Sequence, residues 1–149
     1  MSEQQGVWAE RAESALADAG RRRGGARRAI LDVLASQDCA LTAAELEARL
    51  RAAGRAASRA SVYRVMEELE EVGMVQRVEV GTGLSRYEPV GAGSEHHHHL
   101  VCERCGRIEP FHDDGLERAI ERVSESVPLA VTEHEIVIRG ACRSCAPQG

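Results

Sequence analysis

The chain has 149 residues, 43% of them hydrophobic, with one Trp, two Tyr and one Phe, and a formal net charge of −5. That length suits one medium domain or two small ones joined closely. No apolar run approaches the roughly 20 residues that a membrane-crossing helix needs, and the polar, acidic start MSEQQGVWAERAESALADAG lacks the pattern of a signal peptide. The chain is therefore expected to be cytoplasmic, with no membrane partner and with its thiols reduced.

The charge is unevenly spread. Residues 1–78 hold 12 arginines against 12 acidic residues, whereas residues 79–149 hold 7 against 12. Five of the arginines stand together as Arg21, Arg22, Arg23, Arg27 and Arg28. Such a cluster can be either a face for nucleic acid or a solvated helix start.

In chain order, Val7, Ala12, Ala15, Leu16 and Ala19 recur at helical spacing and predict a helix over about 7–19. A second is predicted over 26–36, burying Ile30, Val33 and Leu34. A third starts at Thr42, where Thr42-x-x-Glu45 forms a capping box, and stops near Gly54. A fourth starts at Ser58 as N-cap, places Val62, Val65, Met66 and Leu69 on one side and ends at Gly73. The period then changes to two. Residues 74–80 read as a strand, 81–83 as a tight turn and 84–88 as the returning strand. Three helices and a hairpin in this order predict a winged helix-turn-helix over 1–88, with the helix from Ser58 as recognition helix.

Residues 89–95, small and glycine-rich, are expected to link this domain to a second over 96–149. There, 99–102 and 107–111 read as short strands, Asp113-Asp114 as the cap of a helix over 115–126, and 129–139 as a longer strand. The expected fold is α+β, a winged-helix DNA-binding domain followed by a small α/β domain.

The second domain carries the metal chemistry. Cys102-x-x-Cys105 and Cys142-x-x-Cys145 give four thiolates, a set that suits a structural, tetrahedral zinc with no open position. An iron–sulfur cluster uses the same donors. Cys39 stands apart, as a small buried residue, a further metal ligand or a redox-sensitive thiol. The run His96 to His99, if extended, points His96 and His98 one way and His97 and His99 the other. Two sites on opposite faces follow, each needing further ligands from among Glu88, Glu109, His112, Asp113, Asp114, Glu117 and His134.

Several motifs now occur in order: Ala60-Ser61-Val62-Tyr63-Arg64-Val65, Gly73-Met74-Val75, Ser85-Arg86-Tyr87-Glu88, His96-His97-His98-His99-Leu100-Val101-Cys102-x-x-Cys105-Gly106, His134 and Cys142-x-x-Cys145. Together they resemble the ferric uptake regulator family from about Arg27 onward. The resemblance implies a homodimeric, metal-dependent transcriptional repressor, not an enzyme, that binds an A/T-rich inverted repeat in double-stranded DNA and dimerises through its C-terminal domain. It implies DNA contacts from Tyr63 and Arg64 and a backbone contact from Arg27; Arg59 and Ser61 join them at the start of the same helix. Glu67, Glu68, Glu70 and Glu71 at its other end are expected to face away from phosphate.

By the same resemblance His96, His98, Glu117 and His134 form a dimerisation-domain metal site, and Glu88, His97 and His99 a regulatory site at the hinge. The family's further histidine falls on Ala40, and its acidic residue after the first cysteine pair on Pro110. Glu109, Cys39, Gln76 or water is left to complete the hinge site. Besides structural zinc, the implied cofactor is a second divalent metal, with zinc favoured over iron(II) or manganese(II). A peroxide-sensing repressor is the alternative within the family. A zinc hydrolase is the alternative outside it, and it lacks any His-Glu-x-x-His pattern. A metal buffer would have no use for a winged helix.

Overall fold

Four helices and a three-stranded sheet build the first of two units in the computed structural model, residues 1–95, and a three-stranded sheet with one helix builds the second, residues 96–149. The structure describes all residues except 1, 2, 38, 80, 82, 92–95 and 147–149. Most of the expected 89–95 link, the end of the strand expected to reach 80 and the centre of the turn after it therefore lie outside the described residues.

In the first unit, α1 (Glu3–Asp18) starts before its expected position and buries a different stripe. Trp8, Ala9, Ala12 and Leu16 are in the core, while Val7 and Ala19 are exposed. The i, i+4, i+8 series from Trp8 wins because the indole offers the largest apolar surface of any side chain here. Its Nε1–H donates to the Val90 carbonyl at 2.9 Å, which gives the buried indole nitrogen its partner. Helix α2 (Gly25–Ala35) contributes Ile30, Leu31 and Leu34. Helix α3 (Ala43–Ala52) carries the predicted capping box: Thr42 Oγ1 accepts from the Glu45 N–H, and the Glu45 side chain accepts from the Thr42 N–H. Helix α4 (Arg59–Glu71) starts at Ser58, whose Oγ accepts from the Ser61 N–H, and buries Val62, Val65, Met66 and Leu69. It stops at Gly73, where φ of 70° lets the Gly73 and Met74 amides return to the Glu70 and Leu69 carbonyls.

Strands β2 (Val75–Glu79) and β3 (Ser85–Pro89) form the expected antiparallel wing, in the register Arg77↔Tyr87 and Gln76↔Glu88. A two-residue strand, β1 (Leu41–Thr42), pairs with the other edge of β3 and gives the order β1-β3-β2. Two residues carry no periodicity, so β1 was not legible as a strand. Buried Arg86 on β3 ties this edge to α3, donating to Glu45 Oε2 at 2.9 Å.

In the second unit β4 (His98–Cys102) is central, antiparallel to β5 (Ile108–Phe111) and parallel to β6 (Val137–Gly140). Helix α5 (Asp114–Ser126) is capped by Asp113, whose carboxylate accepts from the Leu116 N–H at 2.7 Å. The strand expected over 129–139 is shorter than its alternation suggested. A strand needs a ladder partner, and β4 offers one only from about His98 on, so pairing starts at His99↔Val137. Residues 130–136 have no strand geometry, and Leu129 and Val131 stay exposed.

Candidate metal centres and DNA-facing surface

Four thiols converge in the second unit. The β4–β5 turn carries Cys102 and Cys105, closed by Gly106 at φ 73° and by hydrogen bonds from Gly106 N–H to Cys102 O and from Cys102 N–H to Arg107 O. The parallel pairing Cys102↔Gly140 then sets the segment after β6, with Cys142 and Cys145, beside that turn. All four sulfurs lie within 4.8 Å of one another, and Cys105 Sγ and Cys142 Sγ are 3.8 Å apart. A tetrahedron with zinc–sulfur bonds of about 2.3 Å has sulfur–sulfur edges of roughly 3.8 Å. The donors therefore fit zinc. Backbone N–H groups, first that of Cys142 and then those of Cys105 and Arg104, pull the Cys102 thiol down to about 6, a thiolate prepared in advance. The Cys145 thiol, hydrogen-bonded to Cys142 and Cys105, is pushed up to about 12.

A second cluster lies in the same unit. His98 Nε2 is 2.7 Å from Glu117 Oε1, His134 Nε2 is 3.0 Å from Glu117 Oε2, and His96 Nε2 is 3.0 Å from His134 Nε2. Strand β4 and the residues just before it supply the His96/His98 pair, the first turn of α5 supplies Glu117, and the 130–136 segment supplies His134. The four donors lie within 4.8 Å of one another and are the oxygen and nitrogen ligands of a borderline divalent cation. Burial and then the neighbouring His134 hold the His96 imidazole below its ordinary value, so it is neutral and able to ligate near pH 7. Burial alone would raise the Glu117 carboxyl, but hydrogen bonds from His98 and His134 outweigh it and hold the group lower. The Ile136 N–H donates to His98 Nδ1 at 3.2 Å. Coordination through Nε2 would place the imidazole proton on Nδ1, so that contact has to be given up.

Four of the other candidate ligands are engaged elsewhere. His112 Nε2 bonds Asp114 at 2.9 Å, which raises the imidazole above its ordinary value. Asp113 caps α5, and Glu109 pairs with Arg107 at 2.6 Å.

The hinge-site residues stand on different units, and each unit orders its own pair. In the first, Glu88 on β3 accepts a hydrogen bond from Gln76 Nε2 across the wing at 3.0 Å, and Cys39 Sγ lies within 4.8 Å of a Glu88 carboxylate oxygen. In the second, the His97 and His99 rings are 5.1 Å apart on the side of β4 opposite His98. Cys39 precedes β1, and the pairing of β1 with β3 is what brings it towards Glu88. Nothing in the spacing of Cys39 and Glu88 announces this.

The helix expected to read DNA turns Arg59, Tyr63, Arg64 and Glu67 outward, with Tyr63 45% exposed and Ser61 half-buried. Arg59 pairs with Glu47 at 3.1 Å, and the Ser61 hydroxyl bonds that of Ser58. Glu70 and Glu71 are drawn off by Arg77 and Arg21, whereas Glu67 shares the Tyr63 side. Arg27 is not on the surface: it is 3% exposed, and its Nη1 donates to the carbonyls of Arg21 and Arg22 at 3.1 and 2.8 Å. No helix among the described residues is long and apolar enough to cross a membrane.

Known proteins share this architecture. The ferric uptake regulator Fur of Helicobacter pylori, whose structure has three functional metal-binding sites, superposes with a TM-score of 0.81 at 26% identity, covering 95% of this chain and 93% of that one. The Vibrio cholerae ferric uptake regulator superposes with a TM-score of 0.74 at 33% identity, over 87% of this chain and 98% of that one. In sequence, the ferric uptake regulation protein of Vibrio cholerae is 34% identical over 132 residues, 87% of this chain and 86% of its own length. That of Bacillus subtilis is 36% identical over 87 residues, and the match spans only 58% of its length. Residues 18–139 match the ferric uptake regulator family as a whole, and the chain belongs to that family.

Proposed function

We propose that the chain is a metal-responsive transcriptional repressor that acts as a homodimer on an operator in double-stranded DNA. One observation carries the reading: a capped helix with an exposed Tyr63–Arg64 face shares the chain with convergent His/Glu and four-cysteine ligand sets. Arginine at the start of a recognition helix suits phosphate oxygens and guanine edges. Leu100, Val123, Val127, Leu129, Val131 and Ile138 are all exposed in the second unit, an apolar surface that a second copy would cover. A twofold dimer reads an inverted repeat, and an A/T-rich one is our expectation for the operator.

Cys102, Cys105, Cys142 and Cys145 would hold a permanent zinc, and His96, His98, Glu117 and His134 a second divalent ion. Glu88, His97 and His99 would hold the regulatory ion, with Cys39 as fourth ligand. The Cys39–Glu88 proximity supports that choice over Glu109, which is paired with Arg107, and over Gln76, which serves Glu88 as a donor. A thiolate beside a carboxylate and two imidazoles favours zinc over iron(II) or manganese(II). Bound there, a cation supplies charge that only ligands from both units together can satisfy. Glu88 and Cys39 on one side and His97 and His99 on the other then restrict the two units to one arrangement. Coupling of about 1–3 kcal/mol between the two binding events changes DNA affinity on the order of 5- to 150-fold.

The test is a gel shift on DNA from upstream of the chain's own coding sequence, with protein holding only its four-cysteine zinc and then with zinc, iron(II) or manganese(II) added. Stimulation by zinc is expected, with Glu88→Ala and His97→Ala folded, dimeric and unresponsive. Equal binding before and after metal addition would overturn the proposal.

A further inference from the structure

Glu88 is 4% exposed, and a carboxylate taken that far out of water needs donors or a cation. Strand pairing sets Gln76 of β2 directly opposite it, so the two side chains share one face of the wing and stand side by side. The Gln76 amide donates through Nε2 to Glu88 Oε2 at 3.0 Å. A carboxylate only accepts, so it fixes which end of the amide faces it. Gln76 is itself exposed, and packing of the core does not dictate a glutamine there.

The neutrality of this donor is a second observation. Arg86 lies two residues before Glu88 on the same face of β3, and its guanidinium donates to Glu45 Oε2 at 2.9 Å. Across the strands, Glu88 meets an amide, which holds one oxygen in place without cancelling the negative charge. The charge stays available to a cation. With Oε2 held on the Gln76 side, an ion is met by one carboxylate oxygen and not by both.

We infer that Gln76 is a positioning residue that makes the proposed regulatory site select zinc, by keeping Glu88 to a single ligating oxygen. The inference rests on the reading that Glu88 ligates the regulatory ion. One oxygen from Glu88, the Cys39 thiolate and the His97 and His99 imidazoles make four donors, the number that zinc takes as a tetrahedron. Manganese(II) prefers an octahedral, oxygen-rich set, which a carboxylate presenting both oxygens approaches. Gln76 opposes that turn of the carboxylate. The residue is outside the ligand set and acts through Glu88.

The experiment titrates cobalt(II) into the full chain holding its four-cysteine zinc. The visible spectrum minus that of Glu88→Ala isolates the hinge ion, and zinc or manganese(II) is then added in competition. Tetrahedral cobalt(II) absorbs far more strongly in the visible than octahedral cobalt(II). Gln76→Met keeps the length of the side chain and removes the donor. Its zinc affinity is expected to fall on the order of 10- to 100-fold, its manganese(II) affinity to hold or rise, and the tetrahedral bands to weaken. Gln76→Lys keeps a donor and adds a charge that competes with the ion. It is expected to fold, to bind both metals more weakly and to keep whatever cobalt(II) it binds tetrahedral.

A merely structural support for Glu88 would leave the ratio of zinc to manganese(II) affinity unchanged. Gln76→Met with the wild-type ratio, whether both affinities hold or both fall together, therefore overturns the inference while the hinge site stands. Should Gln76→Met fail to fold, Gln76→Lys with wild-type zinc affinity overturns it. A wild-type spectrum identical to that of Glu88→Ala overturns the hinge-site reading itself, and this inference with it.

Discussion

Two of the cysteines differ in what holds their protons. Cys102 receives backbone N–H bonds that lower its thiol to about 6, below the unfolded value of about 8.5. In metal-free protein its contribution to stability is therefore present above the unfolded value and is lost as pH falls through about 6. Cys145, raised to about 12, has the opposite pH dependence: its stabilising contribution is fully present below its unfolded value and is lost as pH rises towards 12. Zinc requires all four sulfurs as thiolates, so acidification should release it, with a colorimetric zinc dye as the readout. Cys102→Ser should lose the zinc and the cooperative unfolding of the second unit, measured by metal content and circular dichroism. The four-cysteine set was legible from spacing alone, because one short turn carries each pair and any fold that closes the site brings them together. The position of Cys39 was not: it depends on a two-residue strand meeting β3, a contact 46 residues away in sequence that leaves no periodic mark.

At the scale of elements, local chemistry decided most boundaries. Ser58, Thr42 and Asp113 cap α4, α3 and α5 because their side-chain oxygens satisfy amides that no helical carbonyl reaches. Thr42→Ala removes one such acceptor and the capping box with it, and should cost about 1 kcal/mol in chemical denaturation. Gly73→Ala forces φ of 70° on an L side chain and should cost about 1–2 kcal/mol by the same measurement. Helix α1 was readable as a helix, but its buried face was not. The predicted stripe ran through Val7, and the structure turns the helix by the indole of Trp8 instead. Trp8→Ala should accordingly destabilise the first unit by about 3–5 kcal/mol, read from its thermal melt. Residues 129–136 show the reverse error. Alternation there satisfied the period of a strand, but the ladder partner, β4, begins only at His98, and period without a partner makes no sheet.

For the whole molecule, the exposed Leu129 and Ile138 are expected to lie in a homodimer interface. Leu129→Asp/Ile138→Asp should shift the chain from dimer to monomer in sedimentation while leaving its zinc content intact, because neither residue is a ligand. The order of helices and wing, the four-cysteine set, the alternation of the four histidines and membership of the family were all legible in the amino-acid string. Each of these is written in neighbouring residues, through caps, turn glycines and side-chain periods that act over a few positions. Which side of α1 is buried, where β6 begins, that Arg27 lies inside with its guanidinium on the Arg21 and Arg22 carbonyls, and that Cys39 approaches Glu88 emerge once the chain is folded. Those outcomes turn on pairings between segments far apart in the chain, where burial and ladder hydrogen bonds outweigh any local preference.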